Sequence, residues 1–236
     1  MGSTRLPGKV LKHIAGRPMM SYLIERLRRV RLAQRIVVAT TTQDSDVAIV
    51  DFCRSEGVDC TRGSESDVLS RYFEAAQLFQ AEAVVRVTSD CPLIDPELID
   101  TAIDVFSIPG QGYDYVSNMI EPTWPYGMAV EVFSGPVLAE AHREAVNPAE
   151  REHVTPFIYW RPEKYRLRSL TMQPNLSHHR WTVDVVEDFD LISRILENVY
   201  ADRADFDMND VLTFLERHPE WAALNAHVQQ KPLIRN

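Results

Sequence analysis

The chain is predicted to fold as an α/β protein: a mostly parallel sheet, helices on both faces, and an inserted lobe. Two observations predict this. Strand-type apolar runs alternate with helix-type periodicity over the first hundred residues, a rhythm that builds βαβ units and parallel pairing. The rhythm breaks at residues 108–127, rich in Gly, Pro and aromatics, and returns near residue 180. A length of 236 residues suits one large domain carrying an insertion, and buries a core without metal or disulfide staples.

Residues 18–30 read as a helix, with Met20, Leu23, Ile24 and Leu27 at helical spacing and Pro18 in the first turn. Residues 35–40 read as a buried strand. Asp44 or Ser45 caps a helix to about residue 56, ended by Gly57. Residues 58–60 form a short strand, and Ser64 or Ser66 starts a helix to about residue 80. Residues 83–88 give the next strand, and Asp95 caps a helix carrying Leu98, Ile99, Ala102, Ile103 and Phe106. Strands are expected at 128–133 and 166–171, and helices at 135–145 and 149–159. Residues of about 110–175 are read as the inserted lobe of a single domain spanning 1–236. A strand at 180–184, a helix from Glu187 and a helix at 208–217 complete the chain.

Hydrophobic residues make up 45% and charged residues 25%, the balance of a globular enzyme. No run reaches the roughly 18 apolar residues of a membrane span, and no signal peptide is visible. Three cysteines, Cys53, Cys60 and Cys91, lack CxxC spacing, so neither a disulfide frame nor a zinc site is expected, and the cytoplasm is the natural compartment. The net charge of −9 opposes nucleic acid as a partner. Its distribution is uneven. Residues 1–43 hold nine Lys/Arg against Glu25 alone, +8, and the remainder holds 16 Lys/Arg against 33 acids, −17. A solvated basic helix face and a site for a phosphate-rich ligand both fit that pattern.

Gly2-Ser3-Thr4-Arg5-Leu6-Pro7-Gly8-Lys9 is the first segment with chemistry in it. Five residues separate its glycines and Val10 follows Lys9, which excludes a Walker loop; it is not GxGxxG either. Glycines still permit close backbone approach, free N–H groups cradle phosphate oxygens, and the cations neutralise charge. A basic free end is the plainer reading. Thr88-Ser89-Asp90-Cys91-Pro92 follows a predicted buried strand, at the sheet edge where α/β proteins bind ligands. Asp90 there suits Mg²⁺, which takes one or two carboxylates plus substrate phosphates, or simply caps a turn. Arg180-Trp181-Thr182-Val183-Asp184 is a second strand ending in Asp, open to sharing that metal or to capping the next helix. The pairs Asp44/Asp46, Asp188/Asp190 and Asp205/Asp207 read as caps and solvated faces. The segment from Arg62 to Tyr72, with Ser64 and Glu65, reads as a helix cap or as a nucleotide contact, and His153 sits on a helix without metal-ligand spacing.

Taken together, GSTRLPGKVL, VVAT, RGSESDVLSRY, TSDCPLIDPELID, DYVSN, VEVF, EREHVTPFIY and LSHHRWTVD followed by EDF resemble the cytidylyltransferase family, which includes the synthetases of CMP-KDO and CMP-sialic acid. The nearest branch is the spore-coat-polysaccharide type, and the resemblance covers nearly the whole chain. It implies a Rossmann-like α/β fold of the nucleotide-diphospho-sugar transferase type, with an inserted dimerisation and sugar-binding lobe, and a homodimer. It implies CTP, Mg²⁺, and transfer of CMP to a sugar, an acidic one, for surface polysaccharide. By position Gly2, Ser3, Arg5 and Lys9 match the triphosphate loop, and Ser64, Glu65 and Thr88 fall near the nucleotide. Asp90 and Asp184 match the metal aspartates; Arg5, Lys9 and Asp90 are the catalytic candidates. Glu131, Glu152, His153 and Arg180 fall on the sugar side.

The departures set further expectations. Family members begin with a strand and an Ala-Arg-type dipeptide, absent here, so the first strand is expected to be missing and the loop to be a mobile free end. Trp124-Pro125-Tyr126-Gly127 replaces a Pro-Asp-Gly, and Val186 a helix-initiating Pro. A nucleotidyltransferase using another NTP or a sugar phosphate fits the same residues, as does an inactive homologue acting as a binding partner.

Overall fold

The computed structural model describes residues 1–230. The glycine loop leads through a tight turn at Lys9–Leu11 into a small hairpin, β1 (His13–Ile14) and β2 (Arg17–Pro18). α1 (Met19–Leu27) starts behind Pro18 and buries Met19, Met20, Leu23 and Ile24. β3 (Val37–Thr41) is followed by α2 (Val47–Glu56), which Gly57 stops at φ 66°, a conformation that glycine adopts without Cβ strain. β4 (Asp59–Gly63) returns parallel to β3. α3 (Val68–Leu78) is capped by Asp67, which accepts from the Ser70 N–H. Ser64, one of the two expected caps, instead accepts from the Asp67 N–H in the turn before it.

β5 (Ala83–Arg86) precedes α4 (Pro96–Phe106), capped by Asp95 as its sequence predicts. Then come β6 (Tyr115–Ser117), β7 (Glu131–Ser134), α5 (Gly135–Glu144), α6 (Pro148–His153), α7 (Pro156–Tyr159) and β8 (Leu167–Ser169). α8 (Val186–Ile195), α9 (Met208–Arg217) and the short α10 (Pro219–Ala222) follow. No helix among the described residues is long and apolar enough to cross a membrane.

The α/β class is as expected. β3 and β4 form a parallel pair, and β5, β7, β6 and β8 form a four-stranded sheet in that order. The second sheet is mixed. β7 runs antiparallel to both β5 and β6, because residues 118–130 return without the helix that a parallel crossover requires. β6 pairs parallel with β8 across the α5–α7 crossover. Alternation along these strands puts helices on both faces. Val116 and Val132 enter the main core with Leu98, Ile99, Leu191, Ile192 and Val211. Their neighbours Tyr115 and Phe133 enter a second core with Leu69, Leu138, Phe157 and Ile158.

Two expected elements change. The helix expected at 149–159 is broken into α6 and α7: Val154 turns to φ 73° and is fully buried, and Pro156 restarts the chain as the first residue of α7. Residues 180–184 are extended but form no strand. A single bridge links Arg180 to Tyr126, and the Val183 N–H donates to the Asp90 carbonyl at 2.8 Å, so the segment is held by loops on both sides rather than by a ladder.

Gly127 makes that arrangement possible. At φ 109° a Cβ there would lie 2.5 Å from both Thr182 N and the Trp181 carbonyl carbon. Gly127→Ala should therefore cost at least about 2 kcal/mol, because strained backbone and overlap with backbone combine. The melting midpoint should fall by roughly 5 °C or more; an unchanged midpoint in calorimetry refutes this account of the contact.

Candidate active site

The glycine loop lies against the ends of two chain segments far away in sequence. Gly8 adopts φ 67° and starts the tight turn that carries Lys9. Leu6 is buried in the main core, and its N–H donates to Ser3 Oγ at 3.2 Å. The Lys9 ammonium donates to Asp90 Oδ2 at 2.9 Å, Asp184 Oδ1 at 2.9 Å and the Val183 carbonyl at 2.6 Å. The expected free end is thus pinned on one side by core packing and on the other by three charge-assisted or polar bonds.

Asp90 sits past the end of β5, on a turn closed by the Cys91 N–H donating to the Thr88 carbonyl. The Thr88 hydroxyl contacts Cys91 Sγ at 3.2 Å, so it braces that turn. Burial pushes the Cys91 thiol up to about 12. It stays a thiol at neutral pH, which removes it as a nucleophile.

Asp184 is surrounded by cations. Besides Lys9, the Arg5 guanidinium lies 3.3 Å from Oδ2 and that of Arg180 3.1 Å from the same oxygen. Burial alone would raise this carboxyl; the bond from Lys9 and the charges of Lys9, Arg5 and Arg180 outweigh it and hold Asp184 below the usual range. Burial alone would lower Lys9, but Asp90 and Asp184 outweigh it and hold the ammonium above its ordinary value.

Arg180 is buried and stacked over the Tyr126 ring. Its fork grips Asp188 through two bonds of 2.9 Å, and its remaining donor reaches Gln230 at 3.1 Å. Asp188 is fully buried; it also accepts from the Asp184 and Val185 N–H groups and from Asn225. The solvated-face reading fails for Asp188. It fails for Asp46 as well, which is buried and accepts from Thr40 and Thr41. A short polar side chain at a helix start looks alike in sequence whether it faces solvent or core. The one available signal was a charge at every fourth position: Arg180, Asp184, Asp188.

A second group lies beside the loop. A Cβ on Gly2 would be 3.4 Å from Glu65 Oε1, and Gln43 donates to Glu65 Oε2 at 2.9 Å. With Ser64 these residues line the ends of β3 and β4. The sugar-side residues are scattered. Glu131, almost wholly buried, is ion-paired with Arg86 and accepts from the Tyr115 hydroxyl at 2.7 Å and from Thr155. Glu152 and His153 are exposed on α6.

Asp90, Asp184 and the Val183 carbonyl thus present oxygen donors to one point, at distances a cation accepts. Such an all-oxygen set suits a hard divalent ion whose other ligands come from phosphates. No group of three His, Cys, Asp or Glu suited to a metal occurs among the described residues.

A family model described as cytidylyltransferase matches residues 1–215. The chain belongs to the cytidylyltransferase family. It is 31% identical over 229 residues to the spore coat polysaccharide biosynthesis protein SpsF of Bacillus subtilis, covering 94% of this chain and 93% of that one. A solved cytidylyltransferase from Leptospira borgpetersenii superposes with TM-score 0.89 at 28% identity, over 98% of this chain and 95% of that one. The structure of CMP:2-keto-3-deoxy-manno-octonic acid synthetase complexed with CTP superposes with TM-score 0.63 at 16% identity, covering 83% and 94%, a likeness of fold. The Lys9 cluster of this cytidylyltransferase therefore stands in an enzyme fold.

The depressed Asp184 carboxyl links stability to pH. Its ion pairs stabilise the fold fully above the unfolded-state value, about 3.9, and that contribution is lost as pH falls through the lower folded-state value. The stability gap between wild type and Asp184→Asn should therefore narrow between neutral pH and about pH 3. Urea unfolding at both pH values reads it, and a gap that stays constant contradicts the assigned ion pairs.

Proposed function

We propose that this cytidylyltransferase transfers CMP from CTP to a hydroxyl of an acidic sugar, for surface polysaccharide. The observation that carries the reading is the convergence of Lys9, Asp90, Asp184 and the Val183 carbonyl at one point, beside a glycine loop bearing Arg5. The choice of CTP and of an acidic sugar is supported by what the relatives are named for, a spore coat polysaccharide protein and a CMP-sugar-acid synthetase complexed with CTP.

In this reading Gly2, Ser3, Arg5 and Lys9 bind the triphosphate, with Arg5 making forked contacts and Lys9 a point-charge contact. Asp90 and Asp184 hold Mg²⁺, which when bound polarises the α-phosphate and offsets charge on the pyrophosphate. Phosphoryl transfer of this kind rests on positioning and charge stabilisation. The sugar hydroxyl gives up its proton to solvent, its oxygen forms the bond to the α-phosphorus as the bond from that phosphorus to the bridging oxygen breaks, and Arg5 and Lys9 hold the departing pyrophosphate. Ser64 and Glu65 face the nucleoside, beside Gln43. Thr88 acts through the turn that aims Asp90.

The sugar side is redrawn. Arg180, buried between Asp184 and Asp188, acts as a positioning residue for Asp184. Glu131, closed in by Arg86, Tyr115 and Thr155, ties β7 to its neighbours. Glu152 and His153, both exposed, keep the sugar assignment. They lie within residues of about 110–175, expected from sequence as a lobe, whose strands β6, β7 and β8 share one sheet with β5. The enzyme acts in the cytoplasm as a homodimer, and sedimentation reads the dimer directly: a monomer at assay concentration removes that part of the proposal.

Pyrophosphate release with CTP, Mg²⁺ and a panel of acidic sugars tests the reaction. Asp90→Asn should lose about 10²-fold or more in turnover. Release as fast as wild type sinks the metal role. Among the four NTPs, CTP should raise the melting point most, since a ligand stabilises the state it binds in proportion to its affinity; a larger rise with another NTP moves the base assignment.

A further inference from the structure

We infer that Lys9 has two stations and couples metal binding to nucleotide binding: in the free enzyme its ammonium holds the oxygens of Asp90, Asp184 and Val183, and the triphosphate draws it away and opens them to a divalent cation. This rests on the metal reading of Asp90 and Asp184 given above.

Geometry comes first. The ammonium bonds one oxygen of each carboxylate and one backbone carbonyl, all between 2.6 and 2.9 Å. A cation held by both Asp90 and Asp184 would compete with Lys9 for Asp184 Oδ1 and the Val183 carbonyl, while Asp90 keeps a second oxygen whose neighbour is the Cys91 thiol. Two cations do not share Asp184 Oδ1 and that carbonyl, so Lys9 and the metal exclude one another from this point. The other oxygen of Asp184 faces Arg5 and Arg180, so the carboxylate has no free side to offer instead.

Charge decides when Lys9 leaves. Arg180 is balanced by Asp188. Around the point itself stand two carboxylates, Asp90 and Asp184, and two cations, Lys9 and Arg5, with no net negative charge to attract a divalent ion. An ammonium removed from both carboxylates without a new partner leaves a half-buried charge unpaired, which is costly. The triphosphate supplies that partner. Its β- and γ-oxygens are the groups that the loop of Gly2 to Lys9 is shaped to meet, and Lys9 has a flexible four-carbon stem that swings between the two stations without moving the backbone. Gly8, at φ 67°, and the buried Leu6 fix the loop itself, so the exchange belongs to one side chain.

The consequence is positive coupling. Metal alone is opposed by Lys9, metal with nucleotide is not, and by linkage the metal strengthens nucleotide binding by the same factor. The enzyme is thereby kept from loading its cation before the substrate that needs it.

The test uses Mn²⁺ as the probe, read by the loss of its free EPR signal beyond the loss that CTP causes without protein, with the full chain and no sugar present. Wild type should bind Mn²⁺ at least about tenfold more tightly with CTP than without it, a coupling of ordinary size. Lys9→Met should bind Mn²⁺ alone about tenfold more tightly than wild type, and its affinity should rise less with CTP. Lys9→Gln, which keeps a hydrogen-bond donor but no charge, should behave as Lys9→Met does, and circular dichroism melts confirm that both fold. Folded variants that bind Mn²⁺ alone no better than wild type overturn the two-station role and leave the metal site standing. If Asp90→Asn binds Mn²⁺ as well as wild type under every condition, the metal site itself is elsewhere and the proposal falls with it.

Discussion

One ammonium group holds this protein's site together. Lys9 joins a loop at the start of the chain to Asp90 and Asp184, which lie 81 and 175 positions away. Burying a lysine is unfavourable unless opposite charges and hydrogen bonds replace its water, and here two carboxylates and a carbonyl do so. The converse holds for the carboxylates. Brought together without Lys9, Asp90 and Asp184 would repel, so the pair of acids at this edge depends on a cation being present.

The remaining architecture supplies rigid backing for that contact. Asp90 is aimed by its Thr88–Cys91 turn, and Asp184 by the Arg180–Asp188 clamp beneath it. Asn225 binds both Asp188 and the Arg180 carbonyl, so a segment after α10 is tied into the same clamp. Gly127 lets the backbone at Tyr126 approach Trp181 and Thr182 closely enough to fix the segment that ends in Asp184. A geometry held by packing and second partners needs little reorganisation when charge develops in a reaction, and that preorganisation is the main catalytic resource for phosphoryl chemistry. The same clamp explains why Arg180 is not available to a ligand: each arm of its fork is engaged inside the protein.

Much of this was legible from residue order. The alternating rhythm marked α1 to α4 and β3 to β5 because local periodicity and caps such as Asp95 and Gly57 act within a few residues. Lys9, Asp90 and Asp184 stood out through the order and number of the motifs around them, since each motif alone also read as a free end, a turn cap or a helix cap. Other features were hidden. β6 has only three residues inside a Gly- and Pro-rich stretch, and every one is buried. The break at Val154 needs a backbone conformation that a β-branched residue rarely adopts, stabilised by burial rather than by local preference.

By itself the sequence determined the α/β class and the family, and it singled out the glycine loop and the two aspartates. Each is written in local pattern or motif order. The tertiary structure alone decided partnership: that Lys9 bonds both aspartates, that Asp188 caps α8 from within the core and clamps Arg180, that Arg180 pairs with Asp184, and that Glu131 is closed off by Arg86. The physical reason is range. Periodicity and capping are set by neighbours within a turn, whereas a buried charge is defined by its partner, and here the partners meet only after the chain has folded.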